Sequence, residues 1–295
     1  MAACTYQVGR VRVHLVSDGV FWTDGGTNFG VVPKTLWEKV IQPDELNRIP
    51  MQLRCLLIES EAGLILVDTG HGDKLAPKQQ RLLNLHGQFR LVNDLASLGY
   101  KPEDVAIVLN THLHSDHCGG NTKLDENGSV VPAFPNATYM AQRLELADAT
   151  YPNERTRNTY FPENFLTLHN MRKGSGDPVL QVMNGDTEIT PSSSMGEVRT
   201  LTTPGHTRAH QAVIVESAGE SAIFMADAVP WAVTLEKLAW VASFDIEPLV
   251  SIETKRSLRD WAWRKDALLF FQHDPTMGAG RLEREGSEFK VVKAD

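Results

Sequence analysis

His112, His114, Asp116 and His117 fall within six consecutive residues. Residues two apart on an extended segment point the same way, so His112 and His114 can aim their imidazoles at one divalent cation. Asp116 and His117 project differently and suit a second ion. Singly, each histidine would be read as a surface residue or as a core imidazole satisfied by backbone partners. Together, three imidazoles and a carboxylate would repel on protonation and lack partners unless a cation organised them. Zinc suits this ligand mix, and manganese, cobalt and iron also accept it. Divalent ions lower the pKa of water from about 16 towards 7 and polarise a carbonyl or phosphoryl oxygen, so hydrolysis follows without a protein nucleophile. Cys118, beside His117, is accordingly read as a packing residue.

The elements that must position this cluster are strands. Residues 105–109 form a short apolar run whose end delivers the chain into the histidine-rich segment. Three further polar residues stand at strand exits: His206 after 198–202, Asp227 after 222–225 and His273 after 267–271. Taken singly, each is an even choice between a site residue and an ordinary polar one. Other strands are expected over 6–8, 11–16, 53–59, 64–67, 137–140, 179–183 and 212–216, and helices over 88–98, 141–149 and 252–265. Residues 17–50 break into Gly, Pro, Trp and Phe without a clean period and read as a long ordered loop with a short helix near 34–41. Strands thus occur in two batches, each followed by helical material, which predicts two sheets packed face to face with helices outside.

The chain has 295 residues, of which 42 % are hydrophobic and 22 % charged, values that suit an ordinary globule and argue against disorder. No linker divides it, so one domain over 1–295 is expected, with a substrate-covering loop region around 18–50 and an insert around 150–178. A formal charge of −8 offers no field for a polyanion, so nucleic acid is not an expected partner. Every apolar run is interrupted before the roughly 18 residues of a membrane helix, and residues 1–7 show no export signal. A cytoplasmic protein without a membrane partner is the expectation. Cys4, Cys55 and Cys118 are odd in number and widely spaced, which fits reduced thiols.

The ordered set HxHxDH, a later Gly-His, an Asp and a final His resembles the metallo-β-lactamase superfamily. The match falls on His112, His114, Asp116, His117, His206, Asp227 and His273 and spans about residues 50–280. The resemblance implies a four-layer αβ/βα sandwich, an α/β fold, with a binuclear metal site at one edge. It assigns His112, His114 and His206 to one ion, Asp116, His117 and His273 to the other, and Asp227 as the bridge. Asp68 would orient a ligand histidine, and His210 is equally a supporting or a structural residue. Aspartate at 227 disfavours antibiotic hydrolysis, and histidine at 114 disfavours the flavodiiron branch. The segment HLHSDHCGGN, with Pro-Gly-His and Gln-His-Asp, is most similar to the N-acyl homoserine lactonases, and methyl parathion hydrolase-type enzymes are also close.

The implied reaction is attack of a metal-bridging hydroxide on a lactone or related ester, with Asp116 relaying the proton. Lactonases of this group usually carry a tyrosine three residues after the bridging aspartate; here that position is Pro230. A phosphotriesterase or arylesterase is therefore the competing activity, and a glyoxalase II-like thioesterase a more distant one. A binding protein that kept the fold would be expected to lose at least one ligand, and none is missing. Aromatic residues of the irregular stretches, Phe21, Trp22 and Phe29 in one and Tyr160, Phe161 and Phe165 in the other, either line an apolar pocket or pack these loops and supply a homodimer contact. Trp22, Phe29 and Trp231 are the expected pocket residues. His14, His71, His86 and His169 lack a clustered setting and are read as ordinary surface or core residues.

Overall fold

The computed structural model describes residues 3–85 and 90–294. Strands β1 (Cys4–Val8), β2 (Val11–Asp24), β3 (Arg48–Ser60), β4 (Gly63–Val67) and β5 (Val105–Leu109) lead into a small hairpin of β6 (Thr122–Leu124) and β7 (Val130–Pro132), followed by β8 (Thr138–Gln142) and β9 (Leu180–Met183). One sheet has the order β1-β2-β3-β4-β5-β8-β9. Strands β10 (Glu188–Thr190), β11 (Glu197–Thr202), β12 (Gln211–Ser217), β13 (Glu220–Phe224), β14 (Leu268–Phe270), β15 (Ala279–Glu285) and β16 (Glu288–Lys293) form the other, in sequence order.

Side-chain alternation sets the layers. On β3, Leu56 and Ile58 join Val213, Val215, Phe224 and Phe270 in the core between the sheets. Their neighbours Cys55 and Leu57 face the other way, onto Leu91 and Leu95 of the helix Leu91–Ser97. The outer face of the second sheet is closed by Leu258 and Ala262 of the helix Pro248–Lys265, packed on Ile214, Ile223 and Leu269. Both faces of both sheets are covered, which is why these strands read as unbroken apolar runs. The helix expected over 88–98 begins only at Leu91, and Phe89 and His86 lie outside the described residues.

The stretch 17–50 is not the long loop that its composition suggests. β2 continues through it to Asp24, and pairs with β3 from Arg48 onward, across a register shift between Ser17 and Val20. The shift is a bulge, and it buries Asp18. The Asp18 carboxylate accepts the Gly72 N–H at 2.9 Å and the Leu91 N–H at 3.4 Å, tying the bulge to the loop after β4. The β10 strand and the β15–β16 hairpin were not anticipated either, because their alternation is weak and charged residues fill their exposed face. Among the described residues no helix is long and apolar enough to cross a membrane.

Two parallel pairs decide where the polar residues emerge. β4 and β5 pair in parallel, as do β13 and β14. Their carboxyl ends therefore share one rim, which receives Asp68, the 112–117 segment, Asp227 and His273. Close approach there requires glycine: a Cβ on Gly119 would lie 2.2 Å from the His71 carbonyl oxygen.

Gly119→Ala is expected to lower stability by about 1–3 kcal/mol through overpacking, read by denaturant unfolding; an unchanged midpoint would contradict this contact. Burial raises the Asp18 pKa to about 7, against the pull of its backbone hydrogen bonds. An acid raised in the folded state contributes stability that is present below its unfolded pKa of about 4 and is lost as pH rises through the folded value. The stability of the native chain relative to Asp18→Asn should therefore fall between about pH 4 and about pH 7, and a flat difference across that window would refute it.

Candidate metal centre

The seven side chains expected at one centre do converge. Ligand-type atoms of His112, His114, His206 and Asp227 lie within 4.8 Å of one another, and so do those of Asp116, His117 and His273. Asp227 stands between the groups. Its Oδ2 is 3.1 Å from His206 Nε2 and 3.4 Å from His117 Nε2, and its Oδ1 is 3.0 Å from His273 Nε2. Asp116 Oδ2 is 3.6 Å from both His117 Nε2 and His273 Nε2.

What holds the far side of each ring determines which nitrogen faces inward. His117 Nδ1 donates to Asp68 at 3.0 Å, His206 Nδ1 to Asp245 at 2.9 Å and His273 Nδ1 to the Gln52 carbonyl at 2.7 Å. His112 Nδ1 donates to the Thr111 hydroxyl at 3.1 Å, and that hydroxyl donates to Asp68 at 2.8 Å. Four imidazoles thus turn Nε2 toward the cluster, and His114 turns Nδ1 inward, 3.1 Å from His206 Nε2. His112 Nε2 is buried with no hydrogen-bond partner. An orphaned lone pair among other imidazole nitrogens and ionised oxygens is the donor set of a divalent ion, and the residues present fit a pair of such ions.

The proton equilibria have two sides. Burial, with His117 and His114 nearby, holds His112 well below the usual histidine value, and burial beside His206 lowers His114 to about 3, so both rings are neutral ligands at neutral pH. For His117, burial is outweighed by the carboxylates of Asp227 and Asp116 and its pKa stands well above the usual value; for His206, Asp227 and Asp245 likewise outweigh burial. Asp227, despite its burial, is kept ionised by His273, His117 and His206.

A cavity of about 450 Å³ opens onto this cluster. Phe21, Met51, Leu75, Leu82, Phe161 and Phe244 give it an apolar wall, and His114, Asp116, His206, Asp227 and His273 form its polar floor. The expected pocket residues Trp22, Phe29 and Trp231 do not line it. Phe21 and Thr23 alternate inward on β2, leaving Trp22 on the opposite side. Phe29 stacks on Trp37 and meets Trp231 at 5.5 Å in a buried aromatic cluster behind the wall. Pro230, three residues after Asp227, does line the cavity. His210 is buried, with Nδ1 2.7 Å from the Thr203 hydroxyl and its ring 5.1 Å from that of His112. Cys118 is buried, donates to the Leu113 carbonyl at 3.2 Å, and has its thiol pKa pushed up by burial, as a packing residue should.

Supporting residues escaped sequence reading. Asp245, the Gln52 carbonyl and Glu145 carry no spacing signal, since each reaches the cluster from a separate segment. His71, read as ordinary, lies in the cavity wall with its ring 5.0 Å from Phe21.

The profile of the metallo-beta-lactamase superfamily matches residues 48–273. The chain belongs to this superfamily. It is 30 % identical over 246 residues to an N-acyl homoserine lactonase of a Bacillus species, covering 79 % of this chain and 85 % of that protein. A probable metal-dependent hydrolase from Staphylococcus aureus superposes with a TM-score of 0.85 at 27 % identity, over 98 % of this chain and 99 % of that one. An N-acyl homoserine lactone hydrolase with N-hexanoyl-L-homoserine bound at its catalytic metal centre superposes with a TM-score of 0.64 at 25 % identity, over 92 % and 95 % of the two chains. The chain has the metallo-beta-lactamase fold, two sheets between helices.

Because the neighbouring carboxylates raise the proton affinity of His117 and His206, cation binding at these rings competes with protons. Affinity for Zn²⁺ should rise with pH across neutrality, with protons released; calorimetry in buffers of differing ionisation enthalpy reads this directly, and zero release would contradict the protonation pattern.

Proposed function

We propose that this metal-dependent hydrolase is a dinuclear lactonase, opening the ester bond of a small lactone that carries an apolar acyl chain. The observation that carries the reading is the position of Asp227, whose two oxygens reach toward the two groups of imidazoles from between them. His112, His114 and His206 would hold one ion, Asp116, His117 and His273 the other, and Asp227 both. When bound, such ions supply Lewis acidity at the ester carbonyl and acidify water to a nucleophile at neutral pH.

The chain's own groups do the remainder. Asp68, Asp245, Thr111 and the Gln52 carbonyl keep the rings oriented, so that no reorganisation is needed as charge develops. Asp116, with a fifth of its side chain exposed, is the floor carboxylate best placed to take a proton and return it to the leaving alkoxide. Phe21, Met51, Leu75 and Phe244 exclude water and match an acyl chain, in a cavity within the usual size range for small-molecule sites. Relatives named as N-acyl homoserine lactonases support the same substrate class.

Each methylene buried against this wall is worth about 0.8 kcal/mol, so kcat/KM for N-acyl lactones should rise about fourfold per added CH₂ until the cavity is filled. A pH-indicator assay over an acyl series measures it. Turnover of an aryl phosphotriester exceeding that of every lactone would reverse the reading in favour of the phosphotriesterase. Asp227→Ala should lose bound metal and activity together while keeping the far-ultraviolet circular dichroism of the fold; full activity in a metal-free Asp227→Ala protein would refute the mechanism.

A further inference from the structure

Glu145 lies in the helix Arg143–Thr150, immediately after β8, and is completely buried. Its carboxylate is spanned by three donors from three separate segments. Oε1 accepts the Leu113 N–H at 3.0 Å and the Tyr160 hydroxyl at 3.2 Å, and Oε2 accepts the Thr207 hydroxyl at 2.6 Å. Leu113 is the residue between His112 and His114, and Thr207 is the residue after His206. The Tyr160 ring in turn lies 4.9 Å from the ring of His114. No lysine or arginine pairs with this carboxylate among the described residues, so hydrogen bonds alone offset the cost of burying it.

That arrangement is selective. All three donors belong to segments that carry or touch His114 and His206, members of the group that includes His112 and Asp227. None is a residue that holds His117 or His273 from behind, a role filled by Asp68 and the Gln52 carbonyl. An apolar side chain of similar volume would leave the buried Leu113 N–H without an acceptor. Three convergent donors instead fix the separation of two chain segments that are 92 residues apart in sequence and meet at His114 Nδ1 and His206 Nε2.

We infer that Glu145 is a positioning residue for one of the two ions: it clamps the 112–114 and 206–207 segments together and preforms the His112, His114, His206 half of the site, leaving the other half untouched. This rests on the dinuclear reading above.

Titration of metal-free protein with Co²⁺, followed by visible absorption and by competition with a chromophoric chelator, tests it. The native chain should take up two ions. Glu145→Ala should weaken one of them about 10–100-fold and change only that ion's ligand-field bands. Glu145→Gln should restore most of the loss, because its carbonyl still accepts the Leu113 N–H while its amide donates to hydroxyls that can rotate. Thr207→Val, which removes one donor and leaves the carboxylate with two, should weaken the same ion to a smaller degree, and it decides the matter if Glu145→Ala fails to fold. Equal weakening of both ions, unchanged affinity, or a Gln variant as poor as Ala would each overturn the clamp. A native chain that binds fewer than two Co²⁺ ions would instead overturn the dinuclear reading beneath it.

Discussion

Imidazole nitrogens that face one another at 3.1–3.4 Å, around a carboxylate and away from water, are an arrangement that a polypeptide adopts only under compulsion. Left alone, each ring would turn its free nitrogen toward a protein donor. What prevents this in four of the five rings is the far side, where Asp68, Asp245, Thr111 and the Gln52 carbonyl capture the other nitrogen. Which nitrogen faces inward is thus a consequence of outward hydrogen bonds. A ring of anchors lies between the cluster and the strands, and the geometry of the floor is set by that ring as much as by the seven residues themselves.

The anchors in turn depend on where two sheets end. Parallel pairing of β4 with β5 and of β13 with β14 sends two chain exits to the end of each sheet, and the sandwich joins these ends in one rim. The backbone is taken out of its ordinary range at these exits: Asp68 has φ of 60° and Ala226, just before Asp227, φ of 43°. Non-glycine residues in the left-handed region carry a cost of about 1–3 kcal/mol that the surrounding structure must outweigh. Here the outweighing contacts are visible for Asp68, which accepts from the Thr111 N–H and hydroxyl as well as from His117. Strain and anchoring are located in the same residue.

This division explains what could be read from the sequence. HxHxDH is local, so spacing alone revealed it, and His206, Asp227 and His273 were findable because each follows an apolar strand. The layer arrangement was legible for the same reason, since strands buried on both faces leave continuous apolar runs. β2 beyond Ser17 was not, because its bulge breaks the alternation and its later residues mix polar, glycine and aromatic types. Trp22, Phe29 and Trp231 were misplaced by an assumption that large aromatics near a site face the ligand. Phe29 is instead fully buried against Trp37 and Trp231 against Phe29, where their area does more for the fold than a solvated wall position would. Glu145 and Asp245 were invisible because a carboxylate that supports a histidine needs only proximity in space, and proximity here is created by tertiary packing.

The wall and the floor of the cavity answer to different constraints. Every floor residue is held from behind by a hydrogen bond or faces a neighbour within ligand distance, so a change there propagates to the whole cluster. The wall residues Phe21, Met51, Leu75, Leu82, Phe161 and Phe244 come from β2, β3, the helix Pro77–Leu82 and loop segments, and their side chains contribute area and shape rather than hydrogen bonds. Apolar contacts are tolerant of volume-conserving exchange, whereas a buried imidazole that loses its partner is not. A chain built this way can alter which substrate it admits while its chemistry stays fixed. Pro230, three residues after Asp227, stands on the wall side of that boundary, apart from the seven side chains that gather behind and along the floor.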